Sequence, residues 1–180
     1  ASSAASDVYK RQRWESKVMK KLVYCMLLAI CLFIFSGCGS DREKQLIMAT
    51  EAGFAPYEFY ENGEIVGVDV EIAREIAKVM GKELVVKDVA FDFIINEVQS
   101  GKADFGAAGI SITDERKEQV DFTVEYTVSN QVVVVRNDST IQNFEELKDK
   151  TIAVQLGTVG ESYVEKNYPD ATIITQKKYL

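Results

Sequence analysis

Gly109-Ile110-Ser111-Ile112-Thr113-Asp114-Glu115-Arg116 is the stretch on which the reading of this chain turns. Glycine lets a backbone approach a ligand closely. Ser111 offers a hydroxyl, and Thr113 stands where a helix N-cap is wanted. Arg116 carries a planar guanidinium fork that binds a carboxylate through two parallel hydrogen bonds. Taken alone, the eight residues describe any strand-to-helix turn with an arginine on it. Their surroundings decide what the turn is for.

Upstream, the pattern alternates. Residues 45–50 read as a short apolar strand through Leu46-Ile47-Met48-Ala49. Glu51 and a run rich in aromatics follow: Phe54, Tyr57, Phe59 and Tyr60 around Pro56. Glu61-Asn62-Gly63-Glu64 is a hairpin turn, because Asn-Gly accepts positive φ. Asp69 is expected to cap a helix reaching Met80, with Ile72, Ala73, Ile76, Ala77 and Met80 on its buried face. Gly81 fits the position just past its end. Residues 82–88 form a second strand, 91–100 a second helix and 103–108 a third strand that runs into Gly109. Such alternation builds a largely parallel sheet with helices on its faces, and ligands gather at the carboxyl ends of its strands. Both Glu51–Tyr57 and Gly109–Arg116 fall at such ends.

Downstream, residues 120–122 are read as a short strand. The four valines within residues 131–136 are read as a fully buried one. A short helix at 143–147 and strands at 151–154 and 172–175 flank a helix over 161–167. Gly157-Thr158 is the strand-to-helix turn of this second α/β group. A turn of that kind presents N–H groups and a helix N-terminus to an anion.

Composition narrows the function. The chain has 180 residues, 47% of them apolar, enough for a packed core. It contains no histidine, which removes His-based triads and imidazole metal sites, and no metal or cofactor is expected. The net charge is −7, and the N-terminal 37 residues are basic, so the body is more acidic still. Such a body does not suit nucleic acid. Cysteines occur only at 25, 31 and 38, leaving the folded part without disulfide or thiolate chemistry.

The N-terminal region reads as an address. Met19-Lys20-Lys21 precedes an apolar run from Leu22 to Phe35. As a helix that run would span about 21 Å, short of a bilayer core of about 30 Å. Residues 19–37 are therefore expected to be a signal peptide. Phe35-Ser36-Gly37-Cys38 resembles a bacterial lipobox, which implies cleavage before Cys38 and lipid on it; a short membrane anchor is the alternative. Residues 38–44 are a polar tether. Residues 1–18 look like translated sequencing adapter and are set aside.

From about residue 45 to 175 the chain resembles the family-3 extracellular solute-binding proteins, the amino-acid-binding components of ABC importers. The matching pieces are residues 50–59 (TEAGFAPYEF), 67–72 (GVDVEI), 101–104 (GKAD), 109–116 (GISITDER), 120–122 (VDF), Tyr126, 147–150 (LKDK) and 152–158 (IAVQLGT). The resemblance implies an α/β, two-lobe periplasmic binding protein-like fold (type 2), with lobe 1 over 45–131 and part of lobe 2 over 132–180. It implies that Arg116 clamps the ligand carboxylate beside the hydroxyl and N–H of Ser111, while the Gly109 carbonyl takes the ammonium. Phe54 and Phe91 would sandwich the ligand, and Glu51 and Gln155 would face its side chain. Thr158 and the N–H of Val159 would close from lobe 2, while Tyr57 and Phe59 would pack lobe 1.

Two departures stand out. Ala108 replaces a serine that some relatives offer. The acid that grips the ammonium and the return crossing into lobe 1 lie beyond Leu180, so the fold is expected to be C-terminally truncated. The implied protein is a monomeric, lipid-anchored carrier on the outer face of the cell membrane or in the periplasm. It would bind a polar or basic amino acid, hand it to permease subunits and perform no chemistry. An exported dehydratase-type enzyme and a ligand-sensing input domain on the same fold are the alternatives.

Overall fold

The computed structural model describes residues 40–178. The leader, signal-peptide and Cys38 assignments lie outside the described residues. Ser40–Glu43 forms one helical turn ahead of a compact unit that begins at Gln45.

Strand β1 (Gln45–Thr50) is the middle of a three-stranded sheet. It pairs in parallel with β5 (Glu83–Asp88) along its whole length, from Gln45 opposite Glu83 to Thr50 opposite Asp88. On its other edge it pairs in parallel with β6 (Phe105–Gly106), Met48 lying opposite Phe105. Side chains alternate across a strand, so neighbours in β1 face opposite layers. Met48 packs with Val70 and Ala73 of α1 (Val68–Val79), and with Leu84, Val86 and Phe105. Ala49 packs with Ile94 of α2 (Ile94–Gln99), and with Ala103 and Ala108. A strand covered on both faces needs an unbroken apolar run, which Leu46–Ala49 supplies.

Between β1 and α1 the chain makes a small antiparallel sheet of β2 (Gly53–Phe54), β3 (Glu58–Glu61) and β4 (Glu64–Val66). Asn62 and Gly63 turn the hairpin with φ of 52° and 87°, the doubly positive geometry the dipeptide foretold. Gly67 then enters α1 at φ 128°, where an added Cβ would fall 2.2 Å from the Tyr57 carbonyl oxygen.

The second α/β group is smaller. Strand β7 (Thr151–Gln155) and β8 (Thr172–Gln176) pair in parallel, with α4 (Val159–Asn167) connecting them. Leu147, Val154, Val164 and Tyr168 form its core.

Three expectations are corrected. Asp69 does not cap α1; Gly67 holds the N-cap position, without a side-chain cap. Asp69 is instead the buried second residue of the helix. Its Oδ2 accepts from the Gly109 N–H at 2.9 Å and from the Tyr126 hydroxyl at 3.0 Å. The buried face of α1 is carried by Val70, Ala73 and Ala77, while Ile72, Ile76 and Met80 stay substantially exposed. Small alanines let the helix sit close to the sheet, which turns the bulkier residues toward its flank. The segments 120–122 and 131–136 are not strands; Val132 is 75% and Val134 90% exposed. Apolar β-branched residues make a strand only against a ladder partner, and no described strand pairs with them.

Glu58, the first residue of β3, is buried beside Asp69. Burial, then the negative charges of Asp69 and Glu51, push its pKa from 4.5 to about 10. At neutral pH it keeps its proton. That proton supplies a donor where Asp69 Oδ1 and Glu58 Oε2 have no other hydrogen-bond partner among the described residues.

Two consequences can be measured. Gly67→Ala is expected to cost roughly 1–3 kcal/mol from φ alone, and more from the clash, read as a lower denaturation midpoint. Glu58 ionises near 4.5 when unfolded but only near 10 when folded. Its contribution to stability is therefore complete below pH 4.5 and drains away as pH rises through that window. Melting curves of wild type and Glu58→Gln between pH 5 and 9 should show wild type losing ground steadily; parallel pH profiles would contradict the shift.

Candidate functional site

Parallel strands end on one edge, and their loops collect there. Glu51 follows β1, Asp88 ends β5, Gly109 follows β6, and Gln155 ends β7. The short helix α3 (Asp114–Lys117) begins after Thr113, whose Oγ1 accepts from the Arg116 N–H at 3.2 Å. That cap fixes the direction in which Arg116 leaves the helix.

Arg116 is 9% exposed. Its Nη1 donates to the Ser111 carbonyl at 2.7 Å and its Nη2 to the Gly157 carbonyl at 2.9 Å. The guanidinium carbon lies 5.7 Å from the ring centroid of Phe91, a cation–π distance. Burial lowers the arginine's pKa and the nearby Glu115 raises it in part. One side chain thus joins the first α/β group to the turn after β7.

A cavity of about 460 Å³ opens beside it, lined by Phe91, Ile110, Arg116, Gly157, Thr158 and Val159 among others. That volume lies within the range of small-molecule sites. Thr158 caps α4: its Oγ1 accepts from the Glu161 N–H at 3.3 Å and donates to the Gln155 carbonyl at 2.8 Å. The Gly157 N–H donates to Glu161 Oε2 at 2.7 Å, so this turn already holds a carboxylate.

The expected site residues divide into groups. Phe91, Arg116, Thr158 and Val159 line the cavity together. Ser111 is exposed and reaches Arg116 through its carbonyl. Gly109, at φ 54°, lies against Phe54: a Cβ there would be 3.0 Å from the Phe54 ring. Phe54 stacks on Tyr57 with centroids 5.4 Å apart. Glu51 and Gln155, both buried, meet each other, with Gln155 Nε2 3.5 Å from Glu51 Oε2.

Two residues beside this pair escaped the sequence reading. Lys178 places its Nζ 3.4 Å from Glu51 Oε1 and 3.2 Å from Asp88 Oδ2. Asp88 also accepts from the Ala52 N–H at 3.0 Å and the Tyr60 hydroxyl at 3.2 Å. The signal was available: Asp88 closes a strand, and Lys178 follows one, on the edge where Glu51 lies.

Comparison with known proteins agrees with this architecture. The arginine-binding extracellular protein ArtP of Bacillus subtilis is 37% identical over 166 residues, covering 89% of this chain and 65% of that protein. A crystal structure of the substrate-binding protein of an amino acid ABC transporter is 45% identical with a TM-score of 0.71, covering 74% of this chain and 61% of that one. An ancestral amino acid-binding protein, AncCDT-1, described as a precursor of cyclohexadienyl dehydratase, is 34% identical with a TM-score of 0.72, covering 76% and 63%. The chain thus spans a little under two thirds of these relatives, and its fold is that of the type 2 periplasmic binding proteins. The model of the bacterial extracellular solute-binding proteins, family 3, matches residues 46–178, and the chain belongs to that family.

Proposed function

We propose that the protein binds an amino acid in the cleft beside Arg116 and delivers it to the permease of an ABC importer. The observation that carries the reading is the buried Arg116 fork, held beneath Phe91 and bonded to carbonyls from both α/β groups. A ligand carboxylate is a better partner for a guanidinium than a neutral carbonyl, because the bond is charge-assisted on both sides. It would take over donors now spent on Ser111 and Gly157. Thr158 and the N-terminal turn of α4 would meet the same carboxylate from the other side. Gly109 offers its carbonyl to the ammonium, and Phe54 and Phe91 flank the ligand body.

In this reading residues 45–131 are lobe 1 and residues 132–180 belong to lobe 2. Ligand stabilises the arrangement in which the lobes meet, by as much as its affinity differs between open and closed forms. Residues 19–37 direct export, and a lipid on Cys38 holds the monomeric protein at the outer face of the membrane or in the periplasm. Among the described residues no helix is long and apolar enough to cross a membrane. The resemblance to a dehydratase precursor does not favour an enzyme, since that relative is itself described as an amino acid-binding protein.

Thermal melts of the purified protein with each of the twenty L-amino acids test the reading. A rise in melting temperature with one or a few is expected; no rise with any overturns it. Arg116→Ala should weaken binding of the active ligand by about 30-fold or more, matching the 2–5 kcal/mol typical of a truncated buried charge pair. Arg116→Lys keeps the charge without the fork and should fall between the two.

A further inference from the structure

Between Val120 and Arg136 the chain passes from the first α/β group toward the second. It has no helix or strand there and, among the described residues, no backbone–backbone hydrogen bond. Most of the segment faces solvent; Val124 is 85% and Val128 87% exposed. Two neighbouring side chains fasten it. The Tyr126 hydroxyl donates to Asp69 Oδ2 at 3.0 Å, and the Thr127 hydroxyl lies 2.9 Å from that of Tyr57. Among the described residues no other hydrogen bond ties residues 121–135 to the rest of the molecule.

Both fastenings lead to the loop that enters the cavity. Asp69 is 1% exposed, and the same Oδ2 accepts from the Gly109 N–H at 2.9 Å. One oxygen thus joins Tyr126 to a loop whose next two residues are Ile110, which lines the cavity, and Ser111, whose carbonyl takes Arg116 Nη1. The Tyr57 ring stacks on Phe54, and Phe54 lies against Gly109, where an added Cβ would fall 3.0 Å from its ring. The two routes converge on a single glycine at φ 54°. A buried carboxylate is a firm anchor for such a route. Its lone pairs have to be met by donors, so each donor it holds is held more tightly than an exposed hydrogen bond would be.

We propose that Tyr126 is a positioning residue for the amino-acid site: through Asp69 it fixes the loop Gly109–Ser111, and with Thr127 it seats the connecting segment on that same loop. Tyr126 does not line the cavity; it acts through Asp69 and Gly109. The inference rests on the amino-acid reading above. It assigns to the connecting segment the task of holding the cavity's entering loop and the start of the second α/β group in one register.

Calorimetric titration of the purified protein with L-arginine and L-glutamine, well below the melting range, tests this. Should neither bind, the amino acid that shifts the melt most takes their place. Tyr126→Phe keeps the ring and removes one donor. It should weaken binding about five- to tenfold, while the melting temperature of the free protein falls by only a few degrees. Asp69→Asn should weaken binding at least as much. Adding Tyr126→Phe to it should cost less than about a further twofold, since the two changes break one connection. If Asp69→Asn does not fold, Tyr126→Phe decides alone. A lower melting temperature with unchanged affinity in Tyr126→Phe overturns the inference and leaves the amino-acid reading standing, as do losses of affinity that multiply in the double variant. Binding of none of the twenty amino acids to wild type overturns both.

Discussion

Strand β1 is paired on both edges and covered on both faces, and everything functional depends on that confinement. A strand with parallel neighbours on each side gathers the loops that leave the carboxyl ends at one end of the sheet. Glu51, Asp88 and Gly109 therefore leave the sheet together, although the first and the last are 58 positions apart. The small group β7–α4–β8 repeats the arrangement, so Gln155, Gly157 and Lys178 also leave from strand ends. Arg116 spans the space between the two sets of loops. The site is a consequence of strand direction before it is a consequence of any one side chain.

Beneath that edge lies a polar underlayer that an apolar core would not need. Asp69 holds the Gly109 N–H and the Tyr126 hydroxyl, and Glu58 stays protonated beside it. Burying carboxyl groups is costly unless they are neutralised or bonded. Here one of the pair is neutral and the other takes two donors. The result is a fixed seat for Gly109, the residue whose carbonyl the proposed ligand ammonium would meet. Burial and the charge of Asp69 likewise keep the Tyr126 hydroxyl protonated as a donor.

Much of this was legible because the local signals agree with one another. The apolar run of β1, the Asn-Gly turn, the Thr113 cap and the glycine after α1 each act within a few residues, and each appears where the sequence puts it. The misreadings share a different cause. The widest apolar stripe of α1 points one way, but the sheet selects the stripe with the smaller side chains, Val70, Ala73 and Ala77. Asp69 has the composition of a cap and the tertiary role of a tether, which only the position of Gly109 reveals. The valine run has strand composition without a ladder partner. Lys178 looks like any lysine after a strand until β8 is seen in parallel register with β7. Contacts between residues 90 or more positions apart are not encoded in local pattern.

The site satisfies its own charges with parts of itself. The Arg116 fork rests on two backbone carbonyls, the Gly157 N–H holds the Glu161 carboxylate, and the acids Glu51 and Asp88 hold the Lys178 ammonium. The two carbonyls on the Arg116 fork are neutral, whereas the carboxylate of an amino acid is charged and a stronger partner for a guanidinium. In the proposed reading binding is an exchange of partners, and its free energy is a difference between two sets of bonds rather than the sum of one. Such exchange makes the internal partners the natural places to set specificity. In the proposed reading, the Ser111 and Gly157 carbonyls set how much better a ligand carboxylate has to be as a partner for Arg116.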